Sequence, residues 1–419
     1  MSMLSRSSQS VRRTLPAPAA FAAAIASFAA FFMAAGAPTP LLIVEQRQWG
    51  FSSASLTLAF GIYAIGLLLA LLTVGGLSDY VGRRPVLIGA LVLETVAFMV
   101  MLAATGIEAV VVARLIQGIA TGAATSAFSS AVFELAPPRA RAIAASVVSA
   151  APAGGLGLGA LVAGALARWS ARPDAIMWGG LAIVTVLGAV AMSASPETIA
   201  PRRGALDSLR PTISLPADVR APFRRAAPTL VAAWMMAALY MGLVPTILGA
   251  AFGIRSTFVD GATAFLEPAA AAAATLLSAR FAPRTLLRAA AVTTSLGAVV
   301  FLAGLAAGAL WLLDVAGLVG GVGFGASMAA AIRSTIPGTP AQRRAGVFAA
   351  IYTVSYLAFG VPTIVSGRLA GVFGLMPVVV VLASVIAVLA AAGLAVTSRA
   401  GEPGAARTPR RGRRAPTPQ

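Results

Sequence analysis

The sequence contains no cysteine and no histidine, and arginine supplies all 31 of its basic residues. Without thiols and imidazoles, the chain cannot form a disulfide, a cysteine nucleophile or a histidine-based zinc or haem site. Any titratable chemistry must therefore use carboxyl groups. The absence of lysine also excludes the phosphate-binding loop Gly-x-x-x-x-Gly-Lys, so ATP hydrolysis by this chain is not expected.

Charge is scarce as well. Only 11% of the 419 residues are charged, whereas an average soluble protein has about 25%. With 59% hydrophobic residues, the chain has too few polar side chains to cover a globular surface. We therefore expect a membrane protein with many spans and without a cofactor.

Twelve apolar runs follow one another along the chain. About 20 helical residues cross a hydrocarbon core of about 30 Å, and each run is of roughly that length or longer. The runs are continuously apolar rather than alternating, which favours helices over a β-barrel. The predicted spans are residues 18–42, 53–78, 85–105, 107–132, 141–167, 174–194, 226–252, 258–279, 285–305, 307–331, 344–371 and 374–397. We therefore predict an all-α integral membrane fold with twelve transmembrane helices.

One long polar segment, residues 195–225, separates the sixth run from the seventh. It contains six arginines, and its prolines discourage a long helix. We interpret it as a linker between two six-helix bundles. The predicted organisation is an N-terminal cytoplasmic tail at 1–17, a first bundle at 18–194, the linker at 195–225, a second bundle at 226–397 and a basic, disordered cytoplasmic tail at 398–419.

The arginines are distributed unevenly between the two sides of the membrane. Twenty-five fall in the tails and in loops on the side of the N-terminus. The five on the other side are Arg47, Arg168, Arg172, Arg255 and Arg368. Because cytoplasmic loops carry an excess of arginine, both termini are predicted to be cytoplasmic in a plasma (inner) membrane. The net charge of +18 is thereby explained by topology near anionic lipid, and nucleic-acid binding is not expected.

Several residues recur at an offset of 203 positions. These matches lie in order across the fourth and fifth predicted spans and across the tenth and eleventh. The pairs are Gly118 and Gly321, Gly122 and Gly325, Pro137 and Pro340, Arg141 and Arg344, and Gly164 and Gly367. They indicate a duplicated unit, so the two bundles are predicted to be pseudo-symmetric, with a site between them near the bilayer midplane.

A short polar loop joins the second and third spans with the sequence Gly75-Gly76-Leu77-Ser78-Asp79-Tyr80-Val81-Gly82-Arg83-Arg84-Pro85. It resembles the signature loop of the major facilitator superfamily (MFS). Three further motifs are similar to those of the family, namely Arg114-Leu-Ile-Gln117-Gly118, Glu134-Leu-Ala-Pro-Pro-Arg139-Ala-Arg141 and Pro196-Glu197-Thr198. Together they make the chain resemble a twelve-helix, drug-efflux-like MFS transporter over nearly its full length.

The resemblance implies that the loop is a gating latch that holds the outward-facing state. The residues that match are Gly75, Asp79, Gly82, Arg83 and Arg84, whereas Tyr80 stands where the family usually has a basic residue. Physically, Asp79 at a helix end can pair with arginines or accept hydrogen bonds from a helix N-terminus, and so stabilise one closed arrangement of the halves. The alternative is a plain charged hairpin.

Arg114 is the one arginine more than a turn away from the ends of a predicted span. A charge at this depth normally faces a cavity or a partner, so a functional role is the default hypothesis. Arg114, Gln117 and Gly118 share one polar face at helical spacing. The resemblance assigns this arginine to proton coupling or substrate contact, and a structural ion pair is the alternative.

Three acids inside the predicted spans are considered as proton carriers: Glu94, Glu267 and Asp314. A buried carboxyl group suits a proton carrier, because the neutral form is favoured away from water. Glu94 and Arg114 are placed to meet across the hairpin between the third and fourth spans, whereas Asp314 is expected near the outer surface. Either Glu94 or Glu267 is the predicted carrier, with a structural role the alternative for each.

Aromatic side chains are the candidate substrate contacts. The resemblance places Tyr63, Tyr240, Tyr352 and Tyr356 in spans whose family counterparts line the cavity, although aromatic residues in helices more often pack than bind. The fifth span is rich in glycine, which favours close helix packing. It is also similar to an efflux-type signature, except that Ala160 stands in place of a proline.

These features predict a secondary transporter that moves a small organic solute by alternating access, coupled to protons, with export slightly favoured. The expected partners are a small-molecule substrate, protons and the bilayer, and the expected assembly is a monomer. The alternatives are a proton-coupled importer or facilitator of a metabolite and a non-transporting receptor or scaffold with the same fold. A membrane enzyme would need a histidine or an acid cluster at the membrane surface, so no enzymatic activity is expected.

Overall fold

The computed structural model describes residues 14–211, 213–340 and 343–399, and this part of the chain is helical. Its helices are α1 (Ala17–Gly36), α2 (Pro38–Trp49), α3 (Ser53–Thr73), α4 (Ser78–Val81), α5 (Arg83–Leu102), α6 (Ile107–Leu135), α7 (Arg141–Trp169), α8 (Pro173–Ser193), α9 (Ala205–Ser208), α10 (Ala217–Gly242), α11 (Val244–Phe252), α12 (Thr257–Leu277), α13 (Pro283–Ala307), α14 (Leu310–Thr335), α15 (Arg344–Phe373) and α16 (Leu375–Arg399). Short 3₁₀ turns, Pro138–Ala140 and Ser278–Arg280, follow α6 and α12.

The number of spans agrees with the prediction when one bent helix pair is counted once. In the part of the chain that the structure describes, eleven segments are long and apolar enough to cross a membrane, with α1 and α2 together forming the first of them. The pair α10 and α11, bent by 60°, makes the twelfth. Prolines Pro38 and Pro245 stand in the first turns of α2 and α11, where the missing N–H has no intrahelical partner to lose. Both halves therefore interrupt their first span at a proline, although only α10 and α11 are bent by more than 40°.

The segment before the second bundle differs from the prediction in one respect. Helix α10 begins at Ala217, inside the range predicted to be a non-helical linker, and it contains Pro222 and Pro228. Each proline deprives the carbonyl four residues earlier of its hydrogen bond. Those carbonyls belong to Asp218 and Arg224, which are exposed, so water can replace the lost bonds. The division of the whole chain at residues 195–225 stays a prediction.

Glycines bring neighbouring helices together in a repeated way. A Cβ atom at Gly118 or Gly122 of α6 would collide with the backbone of α3 at Tyr63 or Leu67. The related pair, Gly321 and Gly325 of α14, lies in the same manner against the carbonyl groups of Glu267 and Ala271 of α12. The glycines of the 203-residue repeat therefore serve the same packing contact in each half.

We call α1–α8 the first half and α10–α16 the second half. They meet where α3 packs on α15 and where α7 packs on α12. Gly61 of α3 lies against Gly360 and Ile364 of α15, in the part of α3 that is distant from the 75–85 loop. Thr257 of α12 donates a hydrogen bond of 3.3 Å to the carbonyl of Gly164 in α7. Within the described residues this is the one hydrogen bond that joins the two halves.

The two ends of the molecule therefore differ. We call the end with the 75–85 loop the arginine-rich end, and the other the opposite end. At the arginine-rich end, the first turns of α7 are exposed on most sides, at Arg141, Ala142, Ile143, Ala145 and Ser146. The contacts between α7 and α12 run from the opposite end as far as Gly154 and Ala272, and the exposed first turns of α7 lie beyond them. We infer that the halves are closed together at the opposite end and open at the arginine-rich end.

Candidate functional site

The 75–85 loop is organised around the guanidinium of Arg83, which is 9% exposed. It forms an ion pair with Asp79 and a second one, at 3.3 Å, with Glu134 at the end of α6. It also donates a hydrogen bond of 2.7 Å to the hydroxyl of Ser78. Arg83 thus ties the short helix α4 to α5 and α6.

Glu197, in the segment after α8, caps the N-terminus of α5. One carboxylate oxygen accepts from the backbone N–H of Arg83 at 2.8 Å, and the other accepts from that of Arg84 at 3.1 Å. A carboxylate at a helix N-terminus satisfies free N–H groups and complements the helix dipole. Gly82 is required beside it, because its φ is 99° and a Cβ atom would lie 2.8 Å from the Glu197 carboxyl carbon. Thr198 completes the cluster by donating to Glu134.

The polar side-chain contacts that the structure describes for the 75–85 loop are made with residues of the first half and of the segment that follows it. Gly75 accepts a hydrogen bond at its carbonyl from Ser126 of α6. Tyr80 accepts a backbone hydrogen bond of 2.8 Å from Arg202, whose guanidinium lies 4.5 Å from the centre of the Tyr80 ring. An arginine from the following segment thus occupies the neighbourhood in which the family usually has a basic side chain. In this conformation the loop does not bridge the halves.

A second polar cluster lies in the core of the first half, around Arg114 of α6. This side chain is 1% exposed, and its guanidinium lies 4.2 Å from the centre of the Tyr63 ring. It donates 3.3 Å to the carbonyl of Ala59 in α3 and also donates to the Gln117 carbonyl oxygen. Gln117 in turn donates 3.3 Å to Glu94 of α5. Glu94 and Arg114 are therefore brought together, but through the amide of Gln117 rather than as a direct ion pair.

Aromatic side chains from the second half face this cluster. Tyr356 of α15 packs against the buried group of Ala35, Tyr63 and Leu67. Its ring centre is 6.1 Å from that of Tyr352 and 5.0 Å from that of Trp234. The indole N–H of Trp234 is buried and has no hydrogen-bond partner. Arg114 and these rings therefore line a junction between the halves that offers cationic, donor and aromatic groups.

Tyr240 does not belong to this junction, although the sequence placed it among the candidate substrate contacts. It is completely buried within the second half, and its hydroxyl donates 2.5 Å to the carbonyl of Leu313. Its ring packs edge-on against Phe301 at 5.9 Å. With the hydroxyl engaged and the ring enclosed, the side chain joins α10 to α13 and α14 and is not available to a solute.

The second half contains two fully buried acids without a hydrogen-bond partner, Glu267 and Asp260 of α12. Asp314 lies near the start of α14 at the opposite end and is partly exposed, as expected. The described residues contain no group of three acids that could hold a metal ion.

Four of these residues were not predicted as site residues from the sequence. Asp260 lies inside the predicted span 258–279 and is found by counting acids within spans. Glu134 and Glu197 stand in motifs that were recognised, but nothing in their spacing shows that they converge on Arg83. Trp234 has no local signal, since its exposure to the junction depends on the rotation of α10.

Comparison with known proteins agrees with this architecture. The family model of the Major Facilitator Superfamily matches residues 20–262, so the chain belongs to this superfamily. A crystal structure of a mutant of the nucleoside transporter NupG is 15% identical, with a TM-score of 0.69 over 90% of this chain and 99% of that one. A peptide transporter POT mutant in complex with sulfate is 16% identical, with a TM-score of 0.71 over 91% of this chain and 94% of that one.

No curated protein sequence matches the chain. The two structural likenesses establish the fold, and the predicted all-α MFS membrane fold is confirmed. The protein is a multi-pass membrane transporter of a small molecule and not an enzyme.

Proposed function

We propose that the protein is a proton-coupled secondary transporter that moves a small organic solute by alternating access. The observation that carries this proposal is the buried Arg114 cluster, which lies opposite aromatic side chains of the other half. Tyr63, Tyr352, Tyr356 and Trp234 would contact the apolar part of the solute, and Arg114 and Gln117 a polar or anionic group. Gly118 lets α6 approach α3 closely enough to hold Arg114 beside Tyr63.

Glu94 and Glu267 are the proposed proton carriers. Both are completely buried; neither oxygen of Glu267 has a partner, and the Oε2 atom of Glu94 has none. An ionised carboxylate without partners is strongly disfavoured away from water, so Glu267 holds its proton in the present conformation. Glu94 differs, because it is linked through Gln117 to the Arg114 guanidinium, which can balance a negative charge there. Water that enters during the conformational cycle would allow each to release its proton.

The proposed orientation follows from the arginines. If the arginine-rich end is cytoplasmic, as the positive-inside rule predicts, both termini are cytoplasmic and the present conformation is inward-facing. The latch formed by Gly75, Asp79, Gly82, Arg83 and Arg84 would then contact the second half only after the inner ends close. We propose a plasma (inner) membrane location and a monomeric transport unit on the same basis.

Export is the direction that we propose, from the likeness of the fifth span to an efflux-type signature. Ala160 in place of a proline departs from that signature. The fold likeness to a nucleoside transporter and a peptide transporter favours, as the second candidate, proton-coupled import of a metabolite.

Reconstitution in proteoliposomes with an imposed proton gradient tests the proposal. The panel would include hydrophobic cations, nucleosides and short peptides, each measured in both gradient directions. We expect gradient-driven flux of at least one class, and a loss of about tenfold or more in Glu267→Gln or Glu94→Gln, because a permanently neutral side chain cannot cycle a proton. Glu108→Gln is the matched control, since Glu108 is exposed at the start of α6.

The outcomes separate the alternatives. Flux that does not respond to the proton gradient would indicate a facilitator. No flux with any member of the panel would favour a receptor or scaffold. Accumulation and drug-susceptibility measurements on cells with and without the gene would then determine the direction of transport.

A further inference from the structure

Asp260 occupies an unusual position in the contact between the two halves. It lies in the first turn of α12, and its side chain is completely buried. One turn earlier, Thr257 donates the hydrogen bond to Gly164 of α7. At the adjacent Gly261, a Cβ atom would collide with the carbonyl of Ala160 in α7. The closed contact at the opposite end therefore covers Asp260.

No described group neutralises a negative charge at Asp260. Neither of its oxygens has a hydrogen-bond partner, and no side chain forms an ion pair with it. Helix α7 has no titratable residue between its first turn and Arg168, which is exposed, and α11 has none. The other facing elements contribute Asp314 from α14, Tyr240 from α10, and Glu45 and Arg47 from α2.

Arg47 is the one cation of this set that is close enough to influence Asp260 electrostatically. Its side chain is exposed, however, and no ion pair links the two residues. Burying an unpaired carboxylate is far less favourable than burying the neutral acid. Closure of this contact is thus compatible with a protonated Asp260 and opposed by an ionised one.

We propose that Asp260 is the proton-binding residue of the gate at the opposite end, which closes over the neutral acid and opens when the acid ionises. Parting of α7 and α12 at Thr257 admits water, the proton passes to that water, and the carboxylate left behind resists closure. One proton is therefore taken up from the water at the opposite end each time the gate closes, and it returns to that water each time the gate opens. The proposal rests on the alternating access proposed above and names a residue that links the pH at the opposite end to the movement.

Spin-label distances across this gate provide the test. The chain has no native cysteine, so Ala171→Cys and Ala251→Cys, both uncharged and exposed at the opposite end, place one label on each half. Distances would be measured between pH 5 and pH 9 on the full chain in lipid nanodiscs without substrate. We expect the wild-type gate to be closed at low pH and increasingly open as the pH rises. Asp260→Asn should stay closed throughout, and Glu108→Gln should keep the wild-type profile.

A distance that does not change with pH in the wild type, or an Asp260→Asn gate that opens, would overturn the proposal. The second result would instead indicate that an ion pair between Asp260 and Arg47 holds the gate. Arg47→Gln distinguishes the same two cases without altering Asp260. A nearby cation favours the ionised acid, so its removal should extend closure to higher pH, whereas loss of an ion pair should open the gate.

The distance measurement needs no flux. If the transport proposal fails, the pH-dependent gate would be intact but there would be no gradient-driven transport. If the Asp260 proposal fails, transport would be present but Asp260→Asn would not change the pH response of the gate.

Discussion

Arg114 combines three interactions that depend on the shape of its guanidinium. It lies over the Tyr63 ring, and it donates separately to Ala59 and to Gln117. Arginine can satisfy these directions together because its donors form a fixed planar fork, whereas a lysine ammonium is a compact point charge. The position therefore requires arginine in particular rather than a positive charge.

We expect Arg114→Lys and Arg114→Gln each to reduce transport at least tenfold. Hydrogen bonds of a charged group contribute about 1.5–3 kcal/mol, and a desolvated cation–π contact about 2 kcal/mol, so the loss exceeds the roughly 1.4 kcal/mol that corresponds to a factor of ten. The measurement is gradient-driven flux at matched amounts of folded protein. Arg139→Gln, at an exposed arginine after α6, is the control. Full activity of Arg114→Lys would show that charge alone is sufficient.

At the level of helices, the contact of α6 with α3 sets the position of that arginine. Gly118 is one turn from Arg114, and its Cα faces the backbone of α3 at Tyr63. Any side chain here separates the helix that carries the guanidinium from the helix that carries the ring and the Ala59 carbonyl. If Arg114 contacts the solute as we propose, packing and function are coupled at this glycine.

Gly118→Ala should lower both stability and transport. The added methyl group meets backbone atoms of Tyr63 and Leu67 rather than a flexible side chain, and overpacking of this kind costs about 1–3 kcal/mol. Thermal unfolding in detergent and flux at matched protein amounts are the measurements. Gly89→Ala is the matched control, because a Cβ atom at this helical glycine of α5 meets nothing within 4 Å. That change should leave the protein as stable or slightly more so.

The helices also show what the sequence could and could not predict. Apolar run length is a local property, and it placed the spans within several residues, except that α10 begins earlier, at Ala217, than the predicted start at 226. The contact of Glu197 with the start of α5 is different, because it joins positions 113 and 114 residues apart, and no local pattern encodes it. The same holds for Trp234, which meets Tyr356 through the rotation of α10 and α15. Tyr240 was misassigned for the same reason, since spacing alone does not show that its face points into the second half.

At the scale of the whole molecule, the two ends have different closing devices. The opposite end is closed by backbone contacts at glycines, by the hydrogen bond from Thr257 to Gly164 and, in our proposal, by protonation of Asp260. The arginine-rich end carries a charged cluster that is complete within the first half and the segment following it. Such a preformed cluster can meet the second half as a rigid unit when the inner ends approach. The transporter would thus alternate between an apolar seal and a charged one.

If the loop acts as this charged seal, Asp79→Asn should shift the protein toward the present conformation, which is open at the arginine-rich end. Asp79 already pairs with Arg83 in the present conformation, so the shift would come from the contact that the loop makes with the second half when this end closes. An exposed or half-exposed ion pair contributes up to about 1 kcal/mol, so the ratio of the two states should change by about fivefold or less. Spin labels at Arg139→Cys and Arg280→Cys, exposed on the first and second halves at this end, would report the longer distance more often. Asp207→Asn, at an exposed acid of α9, should leave the distribution unchanged. An unchanged distribution in Asp79→Asn would instead show that the loop is a structural hairpin between α3 and α5. A latch that touches the second half in only one state must alter the balance between the states when its charge is removed.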